Sequence, residues 1–243
     1  DYCYTIDVGG DCDTIFSFAV NQSLAGGAGD DIILGGADAD TMAGGVGNDV
    51  YEVADLGDVV SELAGGGSDS VSTSLASYTL GANVESLFFG GSGNFAGNGN
   101  ALDNTIVGGA GNDILNGDAG NDVIIGGAGA DTMAGGAGSD VYEVTDLGDV
   151  VSEIAGAGSD SVWTTLASYT LGDNVENLFF GGSANFAGSG NALANRIEGG
   201  AGNDVLTGGG GNDLMSGGVA GNDTFVFAAA GFGNDTILNF GAN

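Results

Sequence analysis

Residues 108 to 143 read GGAGNDILNGDAGNDVIIGGAGADTMAGGAGSDVYE, which is four nine-residue units in succession. Each unit begins with glycine, has aspartate at its sixth position and has a bulky apolar residue at its eighth. Regular self-similarity of this kind is typical of repeat architectures, in which each unit forms one structural element. The stretch therefore predicts a fold built by stacking short, similar units.

The same unit recurs along the chain with the pattern Gly-Gly-x-Gly-x-Asp-x-apolar-x. Matches begin at Gly26, Gly35, Gly44, Gly108, Gly117, Gly126, Gly135, Gly199 and Gly208. Two of them are imperfect, because Asp38 and Asp118 stand where the pattern has glycine. Every eighth position is apolar or aromatic, which indicates one inward-facing side chain per unit. These residues are Ile33, Met42, Tyr51, Leu115, Ile124, Met133, Tyr142, Leu206 and Met215.

A second repeat has a period of 91 residues: TMAGGVGNDVYEV from Thr41 returns as TMAGGAGSDVYEV from Thr132. Because no linker separates the copies, we expect one continuous elongated domain over residues 1–243 rather than two globular domains. The nonapeptide blocks within it occupy residues 26–53, 108–143 and 199–227. Less regular spacer coils occupy residues 54–107 and 145–198.

Glycine content decides between helix and strand. The chain has 52 glycines, and each glycine inside a helix costs about 1 kcal/mol relative to alanine. Nine residues do suit a glycine-rich turn followed by a short strand, so that two units complete one coil of 18 residues. Side chains 18 residues apart then stack at the strand spacing of about 4.8 Å. We predict an all-β fold, a right-handed parallel β-roll or β-solenoid.

This stacking places the sixth-position aspartates in rows. The predicted rows are Asp13, Asp31, Asp49 and Asp69; Asp40 and Asp58; Asp113, Asp131 and Asp149; Asp122, Asp140 and Asp160; Asp204 and Asp223; and Asp213 and Asp235. Bare carboxylates stacked at about 4.8 Å repel one another by several kcal/mol in a medium of low dielectric constant. A cation between each stacked pair turns that repulsion into attraction.

The available donors favour calcium as that cation. Ca²⁺ takes six to eight oxygen ligands and accepts backbone carbonyls beside carboxylates, whereas Mg²⁺ demands a tighter octahedron. Zinc and copper lack their usual ligands, since the chain has no His and two Cys. We predict calcium as the cofactor, about ten ions in all, with none of these residues catalytic. The predicted carbonyl ligands are those of Gly27, Gly29, Gly45, Gly47, Gly108, Gly109, Ala110, Gly111, Gly127, Gly129, Gly136, Gly138, Gly200 and Gly202. The alternative is that each aspartate only caps its loop as an Asx-turn, which a single motif would favour but nine tandem copies do not.

Composition narrows the function further. The formal net charge is −32, and Arg196 is the one basic residue. Nothing is present to neutralise phosphates, so we expect no nucleic-acid partner. We expect no membrane span, because no apolar run approaches the roughly 20 residues that one requires. Cys3 and Cys12 either form a disulfide or remain as free or intermolecular thiols.

The nonapeptides resemble the RTX repeats, the haemolysin-type calcium-binding repeats of secreted bacterial toxins, proteases, lipases, epimerases, adhesins and surface-layer proteins. The resemblance implies a parallel β-roll, calcium ligation by the aspartates above, export from the cell and folding outside it where calcium is plentiful. One departure concerns the end of the chain: a secretion signal is expected after GNDTILNF at residues 233–240, but three residues follow. No signal peptide precedes Asp1 either, so we expect a fragment or a trimmed chain.

The spacers offer little for catalysis. Glu52, Glu62 and Glu85 recur 91 residues later, and a repeated position is more typical of a scaffold than of one active site, so we expect no enzyme. Short apolar segments favour strands of wider coils, with Phe88, Phe89, Phe179 and Phe180 filling the core. The alternative is that one residue of each pair stacks on carbohydrate. Spacer asparagines are expected to form polar ladders: Asn83, Asn94, Asn98, Asn100, Asn104 and their second-copy equivalents.

Two functions remain open. One is a self-associating extracellular subunit of a fibre, sheath or surface layer, a homo-oligomer stacked head to tail. The other is the calcium-folded repeat or spacer region of a larger secreted enzyme, toxin or adhesin. The first is favoured because Asp1 aligns with Asp223 and Asp13 with Asp235, both at an offset of 222 residues. A solenoid whose ends share one register can continue into the next copy.

Overall fold

The computed structural model describes residues 5–7, 9–10, 12–17, 21–227 and 231–238. These residues form short β-strands and no helix, and thus include no helix of the length and hydrophobicity that a membrane span needs. The odd-numbered strands are β1 (Thr5–Asp7), β3 (Ser23–Ala28), β5 (Thr41–Val46), β7 (Val59–Val60), β9 (Ser77–Thr79), β11 (Ala96–Asn98), β13 (Ile114–Ala119), β15 (Thr132–Ala137), β17 (Val150–Ser152), β19 (Ser168–Thr170), β21 (Ala187–Ser189), β23 (Val205–Thr207) and β25 (Thr224–Val226). The even-numbered strands are β2 (Thr14–Phe16), β4 (Ile32–Leu34), β6 (Val50–Val53), β8 (Ser70–Thr73), β10 (Ser86–Phe89), β12 (Thr105–Val107), β14 (Val123–Ile125), β16 (Val141–Val144), β18 (Ser161–Thr164), β20 (Asn177–Phe180), β22 (Arg196–Glu198), β24 (Leu214–Ser216) and β26 (Thr236–Leu238).

The two sets of strands lie on opposite sides of a coil. All even-numbered strands form one parallel sheet of 13 strands, in which each pairs with the next even-numbered strand. The odd-numbered strands form three parallel sheets of 4, 5 and 4 strands, which are separated inside the spacers, between β7 and β9 and between β17 and β19. Each coil thus gives one strand to each side, and the predicted all-β parallel solenoid is confirmed.

Coil lengths explain the long repeat. Within the nonapeptide blocks, hydrogen bonds join residues 18 apart, as between Asp13 and Asp31. In the first spacer the coils advance by 20, 16 and 19 residues, from Asp49 through Asp69 and Glu85 to Asn104. Five coils therefore make up one 91-residue period. Two of these three spacer coils are longer than the 18-residue coils of the nonapeptide blocks and one is shorter, so the expectation of wider coils holds for two of them.

The core is a column of stacked side chains. Along the 13-stranded sheet the middle residues pair in register, for example Ile15 with Ile33 and Ile33 with Tyr51. Alternation within each strand points the middle residue inward and its neighbours outward. All nine eighth-position side chains are buried, with at most 1% exposure. Since apolar burial contributes about 25 cal/mol per Å², these inward side chains from the strands on both sides of the coil supply its main apolar stabilisation.

The spacer core is filled differently from the expectation. Phe89 and Phe180 are buried, but Phe88 is 40% exposed and Phe179 is partly exposed, because successive residues of a strand face opposite sides. The inward partners are instead Phe95 and Phe186, whose rings stack on Phe89 and Phe180 at 4.6 Å. Phe95 fills the space in front of Gly97, where a Cβ would lie 2.5 Å from its ring.

The turns require glycine at defined positions. The second glycine of the nonapeptide has a positive φ, 107° at Gly27 and 95° at Gly127. Asp118 occupies this position with φ at 82°, and Asp38 occupies the fourth position with φ at 73°. The left-handed region costs a side-chain-bearing residue roughly 1–2 kcal/mol, although aspartate tolerates it better than most. The two departures from the nonapeptide pattern therefore place non-glycine residues in a glycine conformation.

Some predictions fall at the ends of the chain. Cys3 lies outside the described residues, so its pairing stays a prediction, and Cys12 is exposed and forms no disulfide with any described residue. Asp1, which the sequence aligns with Asp223, also lies outside the described residues.

The conformation of Asp118 generates a first prediction. Asp118→Gly and Asp118→Ala remove the same carboxylate, but only glycine fits φ at 82° without a steric penalty. We expect the glycine variant to be more stable than the alanine variant by about 1 kcal/mol. Denaturant unfolding of both variants in saturating calcium measures the difference, and equal stabilities would contradict it.

Candidate metal centre

The sixth-position aspartates hold successive coils together through one carboxylate oxygen. Oδ1 of Asp31 accepts the backbone N–H of Asp13 at 2.7 Å, and Oδ1 of Asp49 accepts that of Asp31 at 2.8 Å. The same bond recurs in the second copy, where Oδ1 of Asp131 accepts the N–H of Asp113 at 2.8 Å. Each such bond crosses one whole coil, so the predicted stacking of aspartates is confirmed.

Three of the predicted rows are parts of one line. The residues that precede the strands of the 13-stranded sheet are Asp13, Asp31, Asp49, Asp69, Glu85, Asn104, Asp122, Asp140, Asp160, Glu176, Asn195, Asp213 and Asp235. Glutamate and asparagine continue the line through the spacers: Glu85 Oε2 accepts the N–H of Asp69 at 2.8 Å, and the N–H of Asn104 donates to Asp122 at 2.7 Å. The spacers therefore preserve the register of the line although they lack the nonapeptide motif.

The other three rows precede odd-numbered strands and are shorter. The N–H of Gln22 donates to Asp40 at 2.6 Å, and the N–H of Asp40 donates to Asp58 at 3.0 Å. Phe95 and Phe186 begin the two later rows by donating their N–H groups to Asp113 and Asp204, each at 2.8 Å. These rows are interrupted where the odd-numbered sheets are interrupted.

The second carboxylate oxygen is buried without a hydrogen-bond partner. This holds for Oδ2 of Asp31, Asp40, Asp49, Asp69, Asp113, Asp122, Asp131, Asp140, Asp160, Asp204, Asp213 and Asp235. Apart from Asp235, which is partly exposed, these residues have at most 2% exposure. A buried carboxylate oxygen without a partner is strongly unfavourable, and a coordinated cation is a usual resolution.

The remaining four predicted aspartates have different surroundings. Oδ2 of Asp58 accepts the N–H groups of Ala54 and Asp55 at 3.1 and 3.0 Å. Oδ2 of Asp149 has the same arrangement in the second copy. Asp13 and Asp223 are partly exposed. These four are therefore weaker candidates than the twelve with unpartnered Oδ2 atoms.

The first glycine of each unit leaves room for the unpartnered oxygen. A Cβ on Gly26 would overlap Oδ2 of Asp31 and lie 2.9 Å from the carbonyl oxygen of Gly44, one coil further on. At Gly108 the corresponding groups are Oδ2 of Asp113 and the carbonyl of Gly126, at 2.8 Å from the Cβ position. Carboxylate and carbonyl oxygens from adjacent coils thus converge on the same small space, and Gly108 is the one first glycine whose carbonyl the sequence had singled out as a ligand.

Several of the predicted carbonyl ligands also face the next coil. Each of these carbonyl oxygens would meet a Cβ added to a glycine of the next coil. The pairs, written as carbonyl and then glycine, are Gly27 and Gly45, Gly29 and Gly47, Gly45 and Gly66, Gly47 and Gly67, Gly109 and Gly127, Gly111 and Gly129, Gly138 and Gly158, Gly200 and Gly218, and Gly202 and Gly221. Three predicted carbonyls also accept hydrogen bonds: Gly109 from Ala128, Gly127 from Thr145 and Gly200 from Val219. Ligation by the predicted carbonyls and carboxylates stays a prediction.

Burial makes the ionised state of these carboxylates costly. It raises the pKa of Asp69, Asp122 and Asp160 to about 6, against the lowering effect of the N–H groups they accept. Burial raises the pKa of Asp113, Asp131 and Asp140 as well. A divalent cation favours the ionised form and removes this cost.

Comparison with protein families accounts for this arrangement. The model of the RTX calcium-binding nonapeptide repeat matches four times, at residues 19–51, 98–133, 107–142 and 189–225. The chain carries RTX calcium-binding repeats. A comparison with curated proteins gave no match. The RTX repeats bind calcium, and the donor set fits that ion, because it consists of carboxylate and carbonyl oxygens from flexible glycine turns.

Three features of the site escaped the sequence reasoning. One is the continuation of the line along the 13-stranded sheet through Glu85, Asn104 and their second-copy equivalents. Aligning the residues that precede the spacer strands could have revealed it. Another is a second, exposed ladder at the fifth position, where Asn48 accepts the N–H of Ser68 at 2.8 Å. The third is what the spacer asparagines bind: Asn100, expected in a polar ladder, donates to the backbone carbonyls of Gly81 and Val84, both at 2.7 Å, and so fixes a turn.

The shared position of Asp131 generates a prediction about stoichiometry. Asp131 lies between Asp113 and Asp149 in its row, so Asp131→Asn should weaken two calcium sites, whereas Asp235→Asn should weaken one within a single chain. Asp173→Asn, an exposed aspartate outside the rows, is the matched control and should change neither the number of ions nor their affinity. Isothermal titration calorimetry on the three variants measures the losses. Equal losses in Asp131→Asn and Asp235→Asn would contradict a shared ligand.

The raised pKa values generate a prediction about pH. In calcium-free protein, carboxyls with a folded pKa of about 6 against an ordinary pKa of 3.8 favour folding when protonated. This stability is fully present below the unfolded pKa and is lost as the pH rises through about 6. The calcium-free chain should therefore lack β circular dichroism at about pH 7.5 and gain it at about pH 4.

With calcium the pH dependence has the opposite sign, because protons then compete with the ion for the same oxygens. Calcium affinity should fall as the pH drops below about 6. The triple variant Asp69→Asn, Asp122→Asn, Asp160→Asn should keep the calcium-free fold to higher pH, because three carboxyls whose ionisation opposes folding are gone, and it should shift the loss of calcium affinity toward lower pH. A compact, β-rich calcium-free chain at neutral pH and low salt would contradict the prediction.

Proposed function

We propose that this chain is a secreted structural protein that folds when it binds calcium outside the cell and associates end to end into an extracellular fibre, sheath or surface layer. The observation that carries the proposal is the line of carboxylates and carboxamides along the 13-stranded sheet, which has the same chemistry at its first and last described members. Calcium binding by the repeats is its established part.

The number of ions is part of the proposal. Each stacked pair of aspartates offers oxygens from two coils, and the rows contain about ten such pairs. About ten Ca²⁺ ions would offset some twenty charges of a formal net charge of −32. Because each ion that binds only the native state adds to its stability, folding would occur where calcium is plentiful. This condition supports an extracellular location.

The two ends of the large sheet support continuation into another copy. Strand β2 carries Thr14, Ile15 and Phe16 behind Asp13, and β26 carries Thr236, Ile237 and Leu238 behind Asp235. Each lies at an edge of the sheet in the described part of the chain, and an unpaired strand edge templates further pairing. In the hydrogen-bond pattern of the line, an aspartate accepts the N–H one coil earlier, so Asp13 of one copy would accept the N–H of Asp235 of the copy before it.

Charge makes such a contact depend on calcium. The sequence contains one basic residue and 33 acidic residues, and Arg196 is engaged with Glu198 at 2.5 Å. Two copies would therefore repel each other unless a cation lies at the junction. Asp235, whose Oδ2 is buried without a partner, would share that cation with Asp13 of the next copy.

Catalysis and nucleic-acid binding form no part of the proposal. Glu52, Glu62 and Glu85 each recur one period later, which suits a scaffold rather than one reacting centre. A surface of this charge would repel nucleic acid at every ionic strength of physiological interest.

A second candidate is the calcium-folded repeat or spacer region of a larger secreted enzyme, toxin or adhesin. The presence of RTX repeats favours this candidate, since such repeats occur in proteins of those kinds. In that case the two edges of the large sheet would be covered by further parts of one polypeptide rather than by a second copy. The state of the isolated chain in calcium separates the two candidates.

Light scattering provides that test. In millimolar calcium the mass should rise with protein concentration to several times that of one chain, and an excess of chelator should return it to one chain. Negative-stain microscopy should show filaments of the width of one solenoid.

End variants make the test specific. Asp13→Asn and Asp235→Asn each remove a charge from the proposed junction and should weaken association at least tenfold. The exposed Asp173→Asn variant should associate like the unchanged chain. Single chains at every protein concentration in calcium would overturn end-to-end association and leave the spacer candidate.

A further inference from the structure

The spacer contributes a glutamate to the carboxylate line at the end of each RTX block. Carboxylate oxygens of Asp49, Glu62 and Asp69 all lie within 4.8 Å of one another. Asp140, Glu153 and Asp160 form the same cluster in the second copy. Asp49 and Asp140 lie within the matched repeats, whereas the other four residues lie beyond residues 51 and 142, where those matches end.

Two oxygens of each cluster are buried without a partner. Oδ2 of Asp49 and of Asp69 make no hydrogen bond, and both side chains are 1% exposed. Oδ2 of Asp140 and of Asp160 are likewise unpartnered, at 0% and 1% exposure. An acidic cluster alone does not define a site, but ionised, unpartnered buried oxygens that face a third carboxylate favour a bound cation among them.

A buried tyrosine holds the glutamate in place. In other units the N–H of the first glycine donates to a backbone carbonyl one coil on, as from Gly108 to Ile125 at 2.9 Å. At Gly44 and Gly135 the acceptor is instead the hydroxyl of Tyr51 or Tyr142, at 2.5 Å. That hydroxyl donates to Oε1 of Glu62 or Glu153. This explains why the eighth position is tyrosine only in the last unit of these two blocks.

The glutamate and the aspartate face one space. A Cβ on Gly44 would overlap Oδ2 of Asp49 and lie 2.5 Å from the hydroxyl of Tyr51. The backbone of Glu62 is fixed from the spacer side, because Asn83 donates its side-chain N–H to the Glu62 carbonyl at 3.1 Å. Asn174 makes the equivalent bond to Glu153 at 3.0 Å. The glutamate is thus positioned by side chains from both the repeat and the spacer.

We propose that Asp49, Glu62 and Asp69 form a calcium site of three carboxylates, and that Asp140, Glu153 and Asp160 form a second one. Each site joins the last nonapeptide of a block to the 20-residue coil that opens the spacer. If the block continued with another nonapeptide, the backbone carbonyls of its glycine turn would face this space. The carboxylate of Glu62 or Glu153 takes their place. Three hard oxygen donors of full charge suit Ca²⁺, and suit trivalent lanthanide ions still better. The inference rests on calcium binding by the repeats and not on end-to-end association.

The test uses Glu62→Gln with Glu153→Gln. Glutamine keeps an oxygen to accept the tyrosine hydroxyl but removes the charge, so the coil is retained while the site is weakened. The matched control is Glu52→Gln with Glu143→Gln, two exposed glutamates that also lie 91 residues apart. In calcium titrations by calorimetry, two ions per chain should bind at least tenfold more weakly in the first variant. The control should match the unchanged chain.

Terbium luminescence supplies a second readout. Tb³⁺ in these sites would lie beside Tyr51 and Tyr142, so emission excited through tyrosine should fall severalfold in Glu62→Gln, Glu153→Gln and in Tyr51→Phe, Tyr142→Phe. It should not fall in the control. If the double glutamine variant does not fold in calcium, Glu153→Gln alone should lose one site and about half of this emission.

Titrations and emission of the glutamine variant that match the control would overturn the proposal. Glu62 and Glu153 would then serve only as hydrogen-bond acceptors for the tyrosines. Absence of calcium binding in the unchanged chain would instead overturn calcium binding by the repeats themselves, so the two failures are distinguishable.

Discussion

The whole structure depends on a carboxylate that is shared between coils. Each stacked aspartate uses Oδ1 to accept a backbone N–H from the coil before it, as Asp49 does from Asp31 at 2.8 Å, and this leaves Oδ2 buried without a partner. The first bond fixes the register of the solenoid, and the second oxygen makes that register unfavourable until a cation binds. We therefore expect folding and calcium binding to be coupled.

The duplicated 91-residue block keeps the register of this line through the spacers. Five coils of unequal length together span the 91-residue period, so that Asp49, Asp69 and Asp122 of one copy correspond in place to Asp140, Asp160 and Asp213 of the next. Within the first spacer, Glu85 and Asn104 keep a polar side chain in the line, Glu85 as an acceptor and Asn104 as a donor to the Glu85 carbonyl. Leu87 and Ile106 continue the apolar column directly behind them. A spacer that interrupted the polar line or the apolar column would also have interrupted the 13-stranded sheet. The smaller sheets, by contrast, are interrupted in each spacer.

The apolar column and the polar line have complementary roles. The column of middle residues is continuous and apolar, so it stabilises any coil that forms, but it is chemically uniform and would tolerate a shift by one coil. The line is specific, because an aspartate, a glycine and a carbonyl must meet at one place. Tyr51 and Tyr142 connect the two: their rings are buried in the column, and their hydroxyls reach the carboxylates of Glu62 and Glu153.

The nonapeptide sequence by itself determined the solenoid, the stacking of aspartates 18 residues apart and the inward eighth residue. These follow from a strictly local period, because a repeat of nine residues with glycine turns can close in few other ways. Only the tertiary structure decided how the spacers join the line, since coils of 20, 16 and 19 residues have no period to read. It also decided that Phe95 rather than Phe88 packs inward, and that Glu62 lies beside Asp49 and Asp69. Those contacts link residues through neighbouring coils, and their partners are set by packing in space rather than by spacing along the chain.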